Sequence, residues 1–224
     1  MKRLLEVCCG SLADAIHAVK GGAERIELCS ALSVDGLTPS LGLTEAVRRL
    51  FPQLTIHVLI RPREGNFVYT KEEKAVILSD IKHAIDAGAD GIVCGALTTE
   101  GDIDIPFVTR MIQTCGDHPF TFHRAFDVCR DPLQALLSLK ALGVRRILTS
   151  GQQPSAVAGI PLLKQLIDAA DGTPIVMPGG GVSSENVQML LQATGTNEVH
   201  GSCRHGATTT DPEEVMRILK LMNC

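Results

Sequence analysis

Apolar and polar positions along the chain switch repeatedly between two periods. Short β-rich runs of alternating or continuous apolar character read as strands, and the longer stretches between them repeat near 3.6 residues and read as helices. Strands are predicted at Leu4–Cys8, Arg25–Cys29, Thr55–Arg61, Gly91–Cys94, Pro119–His123, Arg145–Thr149, Pro174–Met177 and Glu198–His200. Helices are predicted near residues 11–21, 43–50, 71–87, 105–115, 131–141, 155–170, 183–193 and 211–221. Several helices run into glycine-bearing turns, such as Gly21-Gly22-Ala23 and Leu142-Gly143, which is C-cap chemistry. Asp131-Pro132 and Asp211-Pro212 each supply an N-cap followed by a proline at the first helical position.

Strict β/α alternation gives a parallel sheet. Eight units within 224 residues predict an α/β fold, a single (β/α)8 TIM barrel over residues 1–224. Its chemistry would sit on the rim at the carboxyl ends of the strands. An open doubly wound sheet also accommodates the alternation, but no G-x-G-x-x-G follows the first strand, where Cys8-Cys9-Gly10-Ser11 stands.

Composition narrows the function classes. A chain that is 45% hydrophobic and 21% charged has the makings of a large core. A net charge of −4 offers no basic surface for nucleic acid or an anionic membrane, and the lack of Trp beside a single tyrosine, Tyr69, removes base-stacking platforms. Glu6 interrupts the opening Met1-Lys2-Arg3-Leu4-Leu5 before a signal-peptide core can form, and no apolar run approaches the ~18 residues of a membrane span. The eight cysteines contain no C-x-x-C, which excludes a zinc ribbon or thioredoxin-type motif. They read as reduced thiols, so a cytoplasmic location is expected.

Candidate chemistry gathers at the strand ends. Leu5-Glu6-Val7-Cys8 and Ile26-Glu27-Leu28-Cys29 form a faint repeat that sets a carboxylate and a thiol on one strand face. With Val7 and Leu28 toward the helical shell, Glu6, Cys8, Glu27 and Cys29 point into the barrel. Adjacent strands lie about 4.8 Å apart, so Cys8 and Cys29 either share a soft metal ion or serve as small buried hydrophobes. Two thiolates without histidine partners suit Cu(I) better than a four-coordinate zinc site. Arg61 at the third strand's end either bridges Glu6 and Glu27 or holds an anionic substrate. His123 at the fifth reads as a proton shuttle or a neutral core imidazole, and Asp127 as a brace for Arg124. Gly179, Gly180 and Gly181 precede a helix expected to be capped by serine. With Ser202 after the eighth strand they form the loops that cradle anions in this fold, or a simple tight turn. Thr149 and Ser150 add hydroxyls on the same side, and Cys94, Cys115, Cys129 and Cys224 read as core or surface thiols. No lysine falls at a strand end, which argues against a Schiff-base aldolase.

Taken in order, these stretches resemble the CutC family, named for copper homeostasis. The resemblance rests on Glu6-Val7-Cys8, Gly21–Ser30, Gly36-Leu37-Thr38-Pro39-Ser40, Ile60-Arg61-Pro62-Arg63, Gly95-Ala96-Leu97, Thr121–Asp127, Leu148-Thr149-Ser150-Gly151 and Met177-Pro178-Gly179-Gly180-Gly181. It implies a barrel, a cytoplasmic homodimer and copper as partner, with Cys8 and Cys29 matching the family's proposed Cu(I) ligands. It also implies that family members run somewhat past residue 224. A second reading stays open: a barrel enzyme acting on a small anionic, possibly phosphorylated, substrate. In it Glu6, Glu27, Arg61 and His123 would be the acid–base and orienting groups.

Overall fold

The computed structural model describes residues 3–204 and 206–223. The strands are β1 (Leu4–Cys9), β2 (Arg25–Leu28), β3 (Thr55–Leu59), β4 (Gly91–Cys94), β5 (Phe120–Phe122), β6 (Arg146–Thr149), β7 (Ile175–Pro178) and β8 (Glu198–Gly201). They alternate with α1 (Leu12–Lys20), α2 (Leu41–Leu50), α3 (Lys71–Asp86), α4 (Ile105–Cys115), α5 (Pro132–Ala141), α6 (Ile160–Ala170), α7 (Val187–Thr194) and α8 (Pro212–Met222). The strands pair in parallel in the order β7-β6-β5-β4-β3-β2-β1-β8. A parallel bridge between Gly179 and His200 brings β7 beside β8. The result is the (β/α)8 barrel that the alternation predicts.

Local chemistry fixes most helix ends. Thr70 and Glu73 form a reciprocal capping box on α3, and Asp131 and Asp211 cap α5 and α8 ahead of their prolines. Two helices start later than expected. The segment before α6 is held in turns, with the Ala156 amide donating to the Gly180 carbonyl at 2.9 Å. Before α7, Glu214 accepts from the Ser184 amide and hydroxyl at 2.7 and 2.9 Å, so Ser183–Asn186 forms a turn. The expected serine-capped helix directly after Gly181 is therefore absent, and Asn186 occupies the N-cap without a side-chain capping bond.

The strands separate two unlike interiors. Toward the helices lies the main apolar core, with Val7, Ile26, Ile56, Ile92 and Val199 fully buried. Toward the axis a small apolar group, Cys8, Cys29, Leu59 and Val93, sits near the rim. Below it the lumen is ionic. Arg25 pairs with Glu198, Arg146 Nε lies 2.7 Å from Glu198 Oε2, and Arg25 Nε lies 2.8 Å from Glu6 Oε2. His57 Nδ1 stands 2.7 Å from the same Glu6 oxygen. The neighbouring strand makes room for that ring with Gly91, where a Cβ would stand 2.6 Å from His57 Cδ2.

Breaking a buried pair by removing one charge leaves the partner uncompensated, at a cost of about 3–5 kcal/mol. Glu198 serves two guanidiniums, so Glu198→Gln is expected to lower unfolding stability by about that much, read from urea midpoints at constant slope. A loss below about 1 kcal/mol would show that the lumen tolerates Arg146 without its carboxylate partner, Arg25 still having Glu6.

Candidate functional site

Strand register assembles the rim. Cys8 pairs with Glu27 across β1 and β2, and Glu6 pairs with His200 across β1 and β8. One ligand atom from each of Cys8, Glu27 and His200 lies within 4.8 Å of the other two. His200 Nδ1 lies 3.1 Å from Glu6 Oε1, which leaves its Nε2 toward Glu27, 3.6 Å from Oε2. Cys29 follows β2 directly, and its Sγ stands 3.7 Å from that of Cys8. Cys29 is completely buried, whereas Cys8 reaches the pocket at the rim.

Charges within this cluster are mutually dependent. Burial would raise the pKa of Glu6, but His57 and Arg25, with His200, hold it well below the usual carboxylate range. Burial would lower that of His200, yet Glu27, Cys8 and Glu6 together drive it well above the ordinary imidazole value. For Glu27 burial outweighs the attraction of His200 and raises the carboxyl. The hydrogen bond to Cys29, then burial and Glu27, push the Cys8 thiol well above its usual value.

Of the other residues singled out in the sequence, Arg61, His123, Gly180, Gly181 and Ser202 line a rim pocket of about 430 Å³ together with Cys8, Glu27 and His200. Arg61 does not bridge Glu6 and Glu27. β3 ends at Leu59, and the Arg61 amide donates to Thr38 Oγ1 at 2.9 Å. The guanidinium instead donates to the carbonyls of Val34, Gly36 and Gly65 at 2.8, 3.0 and 3.1 Å, and lies 5.1 Å from the Phe67 ring centre. The groups that engage Glu6 are Arg25, His57 and His200. Gly179 lies under the pocket and allows close packing, since a Cβ there would meet Leu148 Cδ1 at 2.5 Å.

Asp127 braces more than Arg124. It takes that guanidinium at 2.7 Å, the Thr149 hydroxyl at 2.5 Å and the Ser150 amide at 2.9 Å. The hydroxyls after β6 are thus engaged by Asp127. Cys94, Cys115 and Cys129 are buried, and Cys224 lies outside the described residues.

His200 was not singled out in the sequence, yet the structure sets its ring nitrogen within 4.8 Å of the Cys8 sulfur, so the thiol pair does have a histidine neighbour. Its signal was present: β8 alternates so that Glu198 and His200 share the inward phase, and His200 lies in register with the inward Glu6 of β1. Arg25 and His57 carried the same signal on β2 and β3.

The CutC family matches residues 3–205. A Mus musculus protein named copper homeostasis protein cutC homolog is 48% identical over 201 residues, covering 90% of this chain and 74% of its own. A Klebsiella pneumoniae family protein CutC is 50% identical over 202 residues, covering 90% and 81%. The crystal structure of the putative copper homeostasis protein CutC from Streptococcus agalactiae superposes with a TM-score of 0.85 at 34% identity, covering 89% of this chain and 98% of that one.

His123 yields a pH prediction. Its Nδ1 accepts from the Ala125 amide at 3.2 Å, and burial, helped by Arg61, lowers its pKa from 6.5 to about 3. The folded protein therefore holds a neutral ring, whereas the unfolded chain protonates it below about pH 6.5. The stabilisation is fully present above that value and is lost as pH falls toward 3. Between pH 6.5 and about pH 5 the wild type should lose about 2 kcal/mol that His123→Gln does not lose, at about 1.4 kcal/mol per unit. Parallel stability–pH curves for the two proteins would contradict a buried neutral ring.

Proposed function

The chain belongs to the CutC family, and from that premise we propose that it is a copper-homeostasis protein carrying Cu(I) as cargo between Cys8 and Cys29. His200 joins them as a third donor in this reading. The carrying observation is the pair of thiol sulfurs 3.7 Å apart at the inner edge of an open pocket. Two sulfurs each about 2.3 Å from one ion, at the trigonal angle of a three-donor site, stand about 4.0 Å apart, so the spacing needs little rearrangement. Soft thiolates favour Cu(I), and an imidazole is compatible with it.

Glu27 is a hard oxygen donor and the poorest match for a soft ion. Its place in the proposal is beside the metal, where it faces His200 Nε2. Glu6 holds the other ring nitrogen, and a carboxylate behind a ligating histidine fixes the ring's orientation. Cytoplasmic residence and a homodimeric state belong to the same proposal through the family resemblance.

Competitive Cu(I) titration of the reduced protein tests it. Wild type is expected to bind one equivalent, Cys8→Ser and Cys29→Ser each to abolish stoichiometric binding, and His200→Asn to weaken it about 10- to 100-fold. Circular dichroism checks that the barrel is retained. Unchanged affinity in a folded Cys8→Ser/Cys29→Ser protein would overturn the assignment.

A further inference from the structure

The opposite wall of the rim pocket holds a feature that copper binding does not use. Arg61 is 5% exposed, and among the described residues no carboxylate pairs with its guanidinium. Three carbonyls occupy Nη1 and Nη2, while Nε has no hydrogen-bond partner among the described residues. A buried cation with neutral partners only is costly, and the usual resolution is an opposite charge within reach. The other arginine of the pocket, Arg124, already has Asp127. Beside Arg61 the neutral His123 ring accepts at Nδ1, so its proton sits on Nε2, and that N–H is also unpartnered. Phe67 packs against both, with its ring centre 4.9 Å from that of His123.

We propose that the rim pocket, which Arg61 and His123 line, binds a small organic anion whose acidic group neutralises Arg61. At about 430 Å³ the pocket suits a small metabolite. Leu32, Leu59, Val128 and Leu148 supply apolar surface for its carbon skeleton. On the far side Gly180 and Gly181 line the pocket with backbone alone, at φ of 99° and 76°. The acidic group is a carboxylate or a phosphate, since both satisfy a guanidinium. This assignment stands independently of the copper reading.

The probes are acetate and inorganic phosphate, with sodium chloride at matched ionic strength as control. Thermal midpoints and the Arg61 Nε–H resonance in arginine-selective ¹⁵N spectra are followed together, the resonance being identified by its loss in Arg61→Lys. A saturable shift of both with one probe supports the proposal, and which probe acts tells carboxylate from phosphate. Affinity should fall at least tenfold in folded Arg61→Lys. If that variant fails to fold, the wild-type thermal midpoint decides, a saturable shift with one anion and none with chloride supporting the proposal. No movement with either anion up to about 50 mM, where even a millimolar site would be filled, overturns the proposal. So does a response equal to that of chloride, or one retained in folded Arg61→Lys.

Discussion

The carboxylate of Glu6 has no contact with solvent, and three groups from three other strands close on it. Arg25 of β2 and His57 of β3 share one oxygen, and His200 of β8 takes the other. An ionised carboxylate survives such burial only where charge and hydrogen bonds replace water. That requirement ties β8, β1, β2 and β3 into one electrostatic unit. Through Arg25 it extends to Glu198 and Arg146, so the lumen is held by alternating charges where many barrels use stacked aliphatic layers.

The same contact organises the rim. Because Glu6 engages Nδ1 of His200, the remaining ring nitrogen faces Glu27 and the Cys8 side of the pocket. The imidazole orientation is thus dictated from below, by a residue that never reaches the pocket. Beside it the apolar group of Cys8, Cys29, Leu59 and Val93 packs together near the rim, while Glu27 and His200 carry the charged network up to the pocket. The thiol of Cys8 and the carboxylate of Glu27 face one another in register across β1 and β2.

Most of the architecture was legible from residue pattern. Alternation placed all eight strands within two residues at either end, and the Asp-Pro pairs placed the starts of α5 and α8. Inward phase also placed Glu6, Cys8, Glu27 and Cys29 on the lumen side. What pattern could not supply was pairing around the barrel. Which inward residue of β8 meets which of β1 depends on strand stagger, so His200 was not associated with Cys8, nor Arg25 with Glu6. The bridge from Arg61 to Glu6 and Glu27 was expected because inward phase was extended past Leu59, where the backbone already turns under the Thr38 hydroxyl. The starts of α6 and α7 were lost to long-range bonds from Gly180 and Glu214, which no local propensity records.

A lumen filled with charge also alters how the barrel responds to heat. Hydrating apolar surface raises the heat capacity of the unfolded chain, whereas hydrating polar surface lowers it. Each ion pair that stands where a leucine could have stood therefore trims the heat-capacity change of unfolding. The stability curve becomes flatter than that of an aliphatic-filled barrel of equal length. The desolvation penalty of those charges also falls as temperature rises. In this chain the axis of the barrel, the part most remote from water, is the part whose contribution fades least on warming.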